Sequence, residues 1–190
     1  MTEIFTTPKE IFDLNKKNNF EIIGIDGGDG VGKTTLADFL ANEYGFSVIN
    51  LDKFVNSVQG GFIDQIKLDE LKEAVSSAKR PLIIEGCCLL EVMEKTEINI
   101  DCHIYFKRLC HGIWSEKGEY EVHGTLMDHI KKQNDFCKEL ARLEATQKNE
   151  IFIEDDDYLL PLTKDLYRYH FNYTPYTRAN FIYERECSSS

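Results

Sequence analysis

The sequence predicts an α/β fold: a three-layer α/β/α arrangement around a mainly parallel sheet of about five strands. Two observations lead there. Short apolar runs such as residues 20–25, rich in Ile, and 82–85, which opens Leu-Ile-Ile, have the pattern of strands buried on both faces. Between these runs lie segments whose apolar residues recur at helical intervals, and strands that alternate with helices build parallel sheets.

The elements follow in chain order. Ile11, Phe12 and Leu14 predict a short leading helix over 8–17, within residues 1–19. Residues 20–25 form the first strand. Leu36, Phe39, Leu40 and Tyr44 predict a helix over 34–44, stopped by Gly45. Residues 46–51 give a second strand, and Leu68, Leu71 and Val75 mark a helix over 64–78. Pro81 opens a third strand at 82–85, a short helix follows at 89–93, and 102–106 is a fourth strand. Residues 124–148 read as one long helix with Leu126, Ile130, Phe136, Leu140 and Leu143 on an apolar stripe. The acids 154–157 form a solvated loop or helix start, and 180–183 a fifth strand. The helices supply the crossovers that parallel strands require, and ligands then gather at the carboxyl ends of the strands. Residues 1–190 are expected to form one domain, with a lid and long-helix region over about 108–150.

Composition narrows the partners. Lys plus Arg is 22 against 33 for Asp plus Glu, a formal net charge of −11, so a nucleic-acid or anionic-membrane surface is not expected. No run reaches membrane-spanning length. The six cysteines contain no C-x-x-C pair, which argues against a zinc or thioredoxin-like motif, and Cys87 and Cys88 read as buried free thiols. The start of the chain lacks a basic flank and a long apolar stretch, so no secretory leader is expected and the location is taken as cytoplasmic. The histidines show no metal-ligand spacing. A homo-oligomer is compatible with the sequence.

The strongest motif is Gly27-Gly28-Asp29-Gly30-Val31-Gly32-Lys33-Thr34, which satisfies G-x-x-x-x-G-K-[ST] between a predicted strand and a predicted helix. Its glycines let several backbone N–H groups face one phosphate, and the helix presents its positive end to the same anion. Lys33 reaches the outer phosphates of a nucleoside triphosphate, Thr34 holds magnesium, and Thr35 borders the site. The fold is then that of a P-loop NTPase, with ATP and Mg2+ as the expected cofactors. Two more carboxylates fall on the same rim. Asp52 closes the second strand and suits the base that accepts a hydroxyl proton, with magnesium also in reach; Glu85 closes the third and suits magnesium or its waters.

These segments resemble the uridine kinase-like family of small-molecule kinases. The run from Gly24 to Ala37 is similar to that family's P-loop. Asn50-Leu51-Asp52-Lys53-Phe54 is similar to its segment bearing the catalytic aspartate, and Leu82-Ile83-Ile84-Glu85-Gly86 to its third-strand segment whose glutamate assists magnesium. Residues 170–182 loosely resemble its closing segment. The resemblance covers roughly residues 20–107 and implies phosphoryl transfer from ATP to a small-molecule hydroxyl, a nucleoside or similar metabolite. One departure stands out. The family's arginine-rich lid corresponds to residues 107–117, which hold Arg108 but no arginine cluster. Arg142, Arg168 or Arg178 would have to serve instead, and Arg178 is placed near the bound base. Trp114 with Tyr120 could line an acceptor pocket.

Two other readings remain open. A nucleotide-binding or assembly protein without transfer would account for the missing arginines. A regulatory GTPase would need an Asn/Thr-Lys-x-Asp segment, and Thr163-Lys164-Asp165-Leu166 has its acid one place early.

Overall fold

The computed structural model describes residues 2–56 and 61–187. A leading strand β1 (Glu3–Phe5) precedes helix α1 (Pro8–Asn18), strand β2 (Ile22–Gly27) and helix α2 (Lys33–Tyr44). Strand β3 (Ser47–Asn50) passes into a 3-10 turn over Leu51–Phe54, and helix α3 (Leu68–Ser77), strand β4 (Leu82–Gly86) and helix α4 (Leu89–Thr96) follow. The long strand β5 (Cys102–Cys110) turns into β6 (Ile113–Trp114), then α5 (Lys117–Tyr120) and α6 (Leu126–Lys148). Helices α7 (Pro161–Tyr173) and α8 (Pro175–Arg178) lead to the last strand, β7 (Phe181–Glu186).

Six strands lie parallel in the order β1-β7-β5-β2-β4-β3, and β6 pairs antiparallel with β5. The three-layer α/β class and its mainly parallel sheet are as the alternation predicts. The sheet has seven strands rather than about five. β1 and β6 are three and two residues long, too short to show a period, and each exists because a neighbouring strand offers free backbone groups.

The strand faces divide the core. Ile23, Ile25, Ile83, Ile104 and Phe106 pack with Ile11, Leu36 and Leu40 of α1 and α2. Leu82 and Ile84 pack on the other side with Leu71, Val75, Leu89, Val92, Leu166 and Tyr169 of α3, α4 and α7. Successive strand residues point to opposite faces, so a strand covered on both sides is apolar along most of its length; β4 is buried at every position, with Leu82, Ile83 and Ile84 followed by the acid Glu85 near its carboxyl end. Register places the carboxylate: Glu85 of β4 pairs with Ile25 of β2 and with Asn50 of β3, so it lies between the glycine-rich loop and the segment carrying Asp52.

Two expectations need correction. The helix α6 forms as predicted, capped by Thr125, whose hydroxyl accepts the Asp128 N–H at 3.1 Å. Its apolar stripe is not a core face throughout: Leu126 and Ile130 pack on the core, whereas Phe136, Leu140 and Leu143 are 59%, 44% and 52% exposed. Helical periodicity reports that a face is apolar, and says nothing about whether another element reaches it. Residues 64–78 are not one helix: a 3-10 turn over Ile63–Gln65 is followed by Ile66 in extended geometry before α3 begins. The acidic residues 154–157 lie outside regular secondary structure. No helix among the described residues is long and apolar enough to cross a membrane.

Candidate active site

The site grows from the turn between β2 and α2. Gly27 has φ +152°, and a Cβ there would sit 2.8 Å from the Phe106 carbonyl oxygen; Gly32 has φ +110°, and a Cβ there would meet the Arg185 guanidinium at 2.7 Å. Conformation disfavours a side chain at both positions, and at Gly27 the Phe106 backbone oxygen leaves no room for one either. The loop is anchored from below by Asp26, which is fully buried. Asp26 Oδ1 accepts the Gly27 N–H at 2.8 Å, and Oδ2 accepts the Tyr169 hydroxyl and lies 3.2 Å from His103 Nε2. A buried carboxylate with three partners is tolerable where an unpaired one would not be.

Lys33 is buried, with Nζ donating to the carbonyls of Gly28 at 2.6 Å and Gly27 at 3.2 Å. Burial alone would pull its ammonium down; Cys87, Asp26 and Glu85 outweigh that and hold it above the ordinary lysine range. Thr34 Oγ1 donates to Glu85 Oε1 at 2.9 Å. Glu85, only 1% exposed, has its carboxyl pushed up by loss of hydration, opposed by the Thr34 bond and Lys33 and reinforced by Asp52 and Asp38. Asp52 is likewise raised, first because the cavity walls take part of its hydration; Lys33 lowers it and Asp29 raises it.

Lys33, Thr34, Asp52 and Glu85 line one cavity of about 290 Å³, together with Asp29, Gly30, Gly32, Thr35 and Cys87. Thus residues from three separate strand ends, all named from the sequence, meet at one edge of the sheet. Gly27, Gly28 and Val31 shape the loop behind: Val31 is a core residue, and a Cβ at Gly28 would meet the Tyr120 hydroxyl at 2.4 Å. Cys87 and Cys88 are buried thiols, and burial pushes Cys87 up to about 11. The donor set Thr34, Asp52 and Glu85 is made of oxygens alone, which fits a hard dication such as Mg2+ and fits softer metals poorly.

The arginines are distributed differently from the expectation. Arg108 pairs with Glu116 at 2.7 Å, Arg142 with Glu139 at 3.3 Å, and Arg168 with Asp165 at 3.1 Å. Arg178 lines neither this cavity nor the one beside it; its guanidinium lies 5.9 Å from the centre of the Tyr173 ring. The arginine that reaches the glycine-rich loop is Arg185 of β7, which has no ion pair among the described residues. It borders a second hollow of about 160 Å³, with Thr35, Phe39 and Phe106 in its wall. Trp114 packs against Tyr105 and Tyr176 under Lys107, and Tyr120 stacks on His170 at 4.0 Å, so of the two only Tyr120 touches the loop.

Sequence reading assigned no role to three of these residues. Asn50 is the most informative: Nδ2 donates to Glu85 Oε1 at 2.5 Å and to Thr34 Oγ1 at 3.4 Å, while Oδ1 accepts the Asp52 N–H at 2.7 Å. One amide therefore ties the Glu85 carboxylate and the loop threonine to the backbone N–H of Asp52. Its position at the end of a strand, two residues before Asp52, was a usable signal. Asp26 could have been flagged as an acid inside an otherwise apolar run. Arg185 carried no local signal.

No family model matches the chain, and no curated protein matches it. Among solved structures, the chain is similar to a possible uridine kinase from Bacillus stearothermophilus. The two are 16% identical, the match covers 92% of this chain and 97% of the other, and the TM-score is 0.44. A likeness at that level says nothing about activity, and the chemistry below rests on the residues of the site.

Proposed function

We propose that this chain is an ATP- and magnesium-dependent phosphotransferase that moves the γ-phosphate to a hydroxyl of a small molecule, a nucleoside or similar metabolite. The observation that carries the reading is the meeting of Lys33, Thr34, Asp52 and Glu85 around one cavity, with Asn50 joining the Glu85 carboxylate to the backbone of Asp52. The resemblance of the 24–37, 50–54 and 82–86 segments to uridine kinase-like enzymes supports it from the sequence side.

Each side chain has work that its surroundings allow. Thr34, Asp52 and Glu85 would hold Mg2+, which supplies charge neutralisation on the phosphates when bound. Lys33 would exchange the carbonyls of Gly27 and Gly28 for phosphate oxygens, replacing neutral acceptors by charged ones. Arg185, beside Gly32, adds a second positive charge from the opposite side of the loop. The nucleotide base would lie in the hollow beyond Thr35, against Phe39 and Phe106. The raised Asp52 carboxylate is a better proton acceptor than an ordinary aspartate, and it would take the acceptor hydroxyl's proton as the phosphoryl group arrives.

The test is incubation with Mg-ATP and a pooled library of nucleosides, vitamins and sugars, followed by mass spectrometry for products heavier by one phosphoryl group. Asp52→Asn should leave ATP affinity nearly unchanged and lower transfer by about 10²–10⁴-fold, the usual contribution of a positioned base. ATP binding with no product across the library would favour a binding protein without transfer; undiminished transfer in the variant would remove Asp52 from the mechanism.

A further inference from the structure

Two of the six cysteines face each other outside the site. β5 and β7 run parallel with Leu109 opposite Glu186, and the pairing continues one step further, the Cys187 N–H donating to the Leu109 carbonyl at 2.7 Å. Cys110 and Cys187 therefore occupy neighbouring positions on adjacent strands. Adjacent strands lie ~4.8 Å apart, within the ~4.4–6.8 Å Cα separation that a disulfide spans. Both are partly exposed, whereas Cys87, Cys88 and Cys102 are buried.

We propose that Cys110 and Cys187 form a reversible cross-strand disulfide by exchange with a low-molecular-weight disulfide such as oxidised glutathione. The two residues are not equivalent. The Cys110 thiol is held below the ordinary range by its neighbours Cys187 and Ser115 and by the charge of Arg108, whereas its proximity to Cys110 pushes Cys187 up. Cys110 is the attacking thiolate. Its sulfur attacks one sulfur of the small disulfide, breaking that S–S bond, forming a mixed disulfide and releasing one thiolate. Cys187, losing its proton to solvent, attacks the Cys110 sulfur and expels the second thiolate, and the two leaving thiolates take up protons. Two protein thiols are oxidised and one small disulfide is reduced to two thiols.

The bond would close a junction that already carries other ties. The Gly112 N–H in the turn between β5 and β6 donates to Glu186 Oε1 at 3.0 Å, and the Ser115 N–H donates to the Arg108 carbonyl at 2.9 Å. Oxidation would lock the end of β7, just after Arg185, to the hairpin that leads through Glu116 to Tyr120. The site rests on strand register and thiol proximity, and stands whether or not the chain transfers phosphate.

The experiment treats the intact native protein with oxidised glutathione near neutral pH, blocks the remaining thiols by alkylation, and maps peptides by mass spectrometry. The expected product is a Cys110–Cys187 cross-link without retained glutathione, with the loss of two alkylatable thiols, reversal by dithiothreitol and a higher unfolding temperature. In Cys187→Ser the mixed disulfide should persist on Cys110, because the resolving thiol is gone. A lasting glutathione adduct in the unsubstituted protein, a cross-link between other cysteines, or both thiols still open to alkylation would overturn the proposal.

Discussion

Tyr169→Phe removes one oxygen atom beneath the glycine-rich loop and leaves the ring that fills the core. Tyr169 and Asp26 are both fully buried. The lost hydroxyl donates to the Asp26 carboxylate and accepts the Leu90 N–H at 3.2 Å. A hydrogen bond to a charged group contributes ~1.5–3 kcal/mol, and an orphaned backbone N–H adds about 1 kcal/mol. The expected loss is about 2.5–4 kcal/mol, a large share of the ~5–15 kcal/mol that holds a domain folded. With a urea slope of roughly 2–3 kcal/mol per molar, the unfolding midpoint should fall by about 1–2 M with little change of slope. Far-UV circular dichroism in a urea series measures it. A midpoint within about 0.2 M of the unsubstituted protein would refute the account of Asp26 as a carboxylate that depends on Tyr169. His103 meets the same Oδ2 atom, so Tyr169→Phe and His103→Gln should be non-additive by about 0.5 kcal/mol or more.

Other outcomes follow from the cavity. Arg185→Ala should weaken ATP binding by about 10–100-fold, the cost of a charge-assisted bond, while Arg178→Ala leaves it unchanged; calorimetric titration of both variants separates the two arginines. A base must be deprotonated to act, so kcat/KM should fall on the acid side with a midpoint above the ordinary aspartate value of 3.8, because partial desolvation and Asp29 raise Asp52; a rate profile flat through that region would argue for a different base. The folded-state value of Glu85 is raised above 4.5, so its contribution to stability is present in acid and is lost as the pH rises through the folded value. Glu85→Gln should therefore raise Tm at neutral pH, with the gain shrinking as the pH falls from the folded value towards 4.5 and gone below it, and should lower magnesium-dependent transfer; a Tm that drops at neutral pH would contradict the burial argument.

Sequence legibility tracked the range of the interactions. The loop of residues 27–34 could be read because its requirements are local: glycines where the backbone turns back, a lysine and a threonine at the start of a helix. β2 and β4 could be read because burial on both faces selects apolar residues along most of each strand, the acids Asp26 and Glu85 falling near their carboxyl ends. Asp52 and Glu85 were legible as strand-end acids once the strands were taken as parallel, since parallel strands bring all their carboxyl ends to one edge. What escaped was set by partners far away in the chain. Asp26 is stabilised by His103 and Tyr169, 77 and 143 residues later. Phe136, Leu140 and Leu143 carry the same helical pattern as buried residues, yet only contact with another element could bury them.

The residues near the glycine-rich loop divide in the same way. Chain chemistry alone placed Lys33 and Thr34 at the head of α2, because a backbone that must curl through Gly27 to Gly32 and then enter a helix leaves them nowhere else. It could not choose among the arginines, because a guanidinium on a flexible side chain has no periodicity and no fixed spacing from the loop. Only the pairing of β7 beside β5, which sets Arg185 opposite Arg108 and at the edge of Gly32, decided which arginine stands there. The physical reason is that strand register is a long-range property, settled by which apolar faces can be buried together, and it determines the position of every side chain on the strand at once.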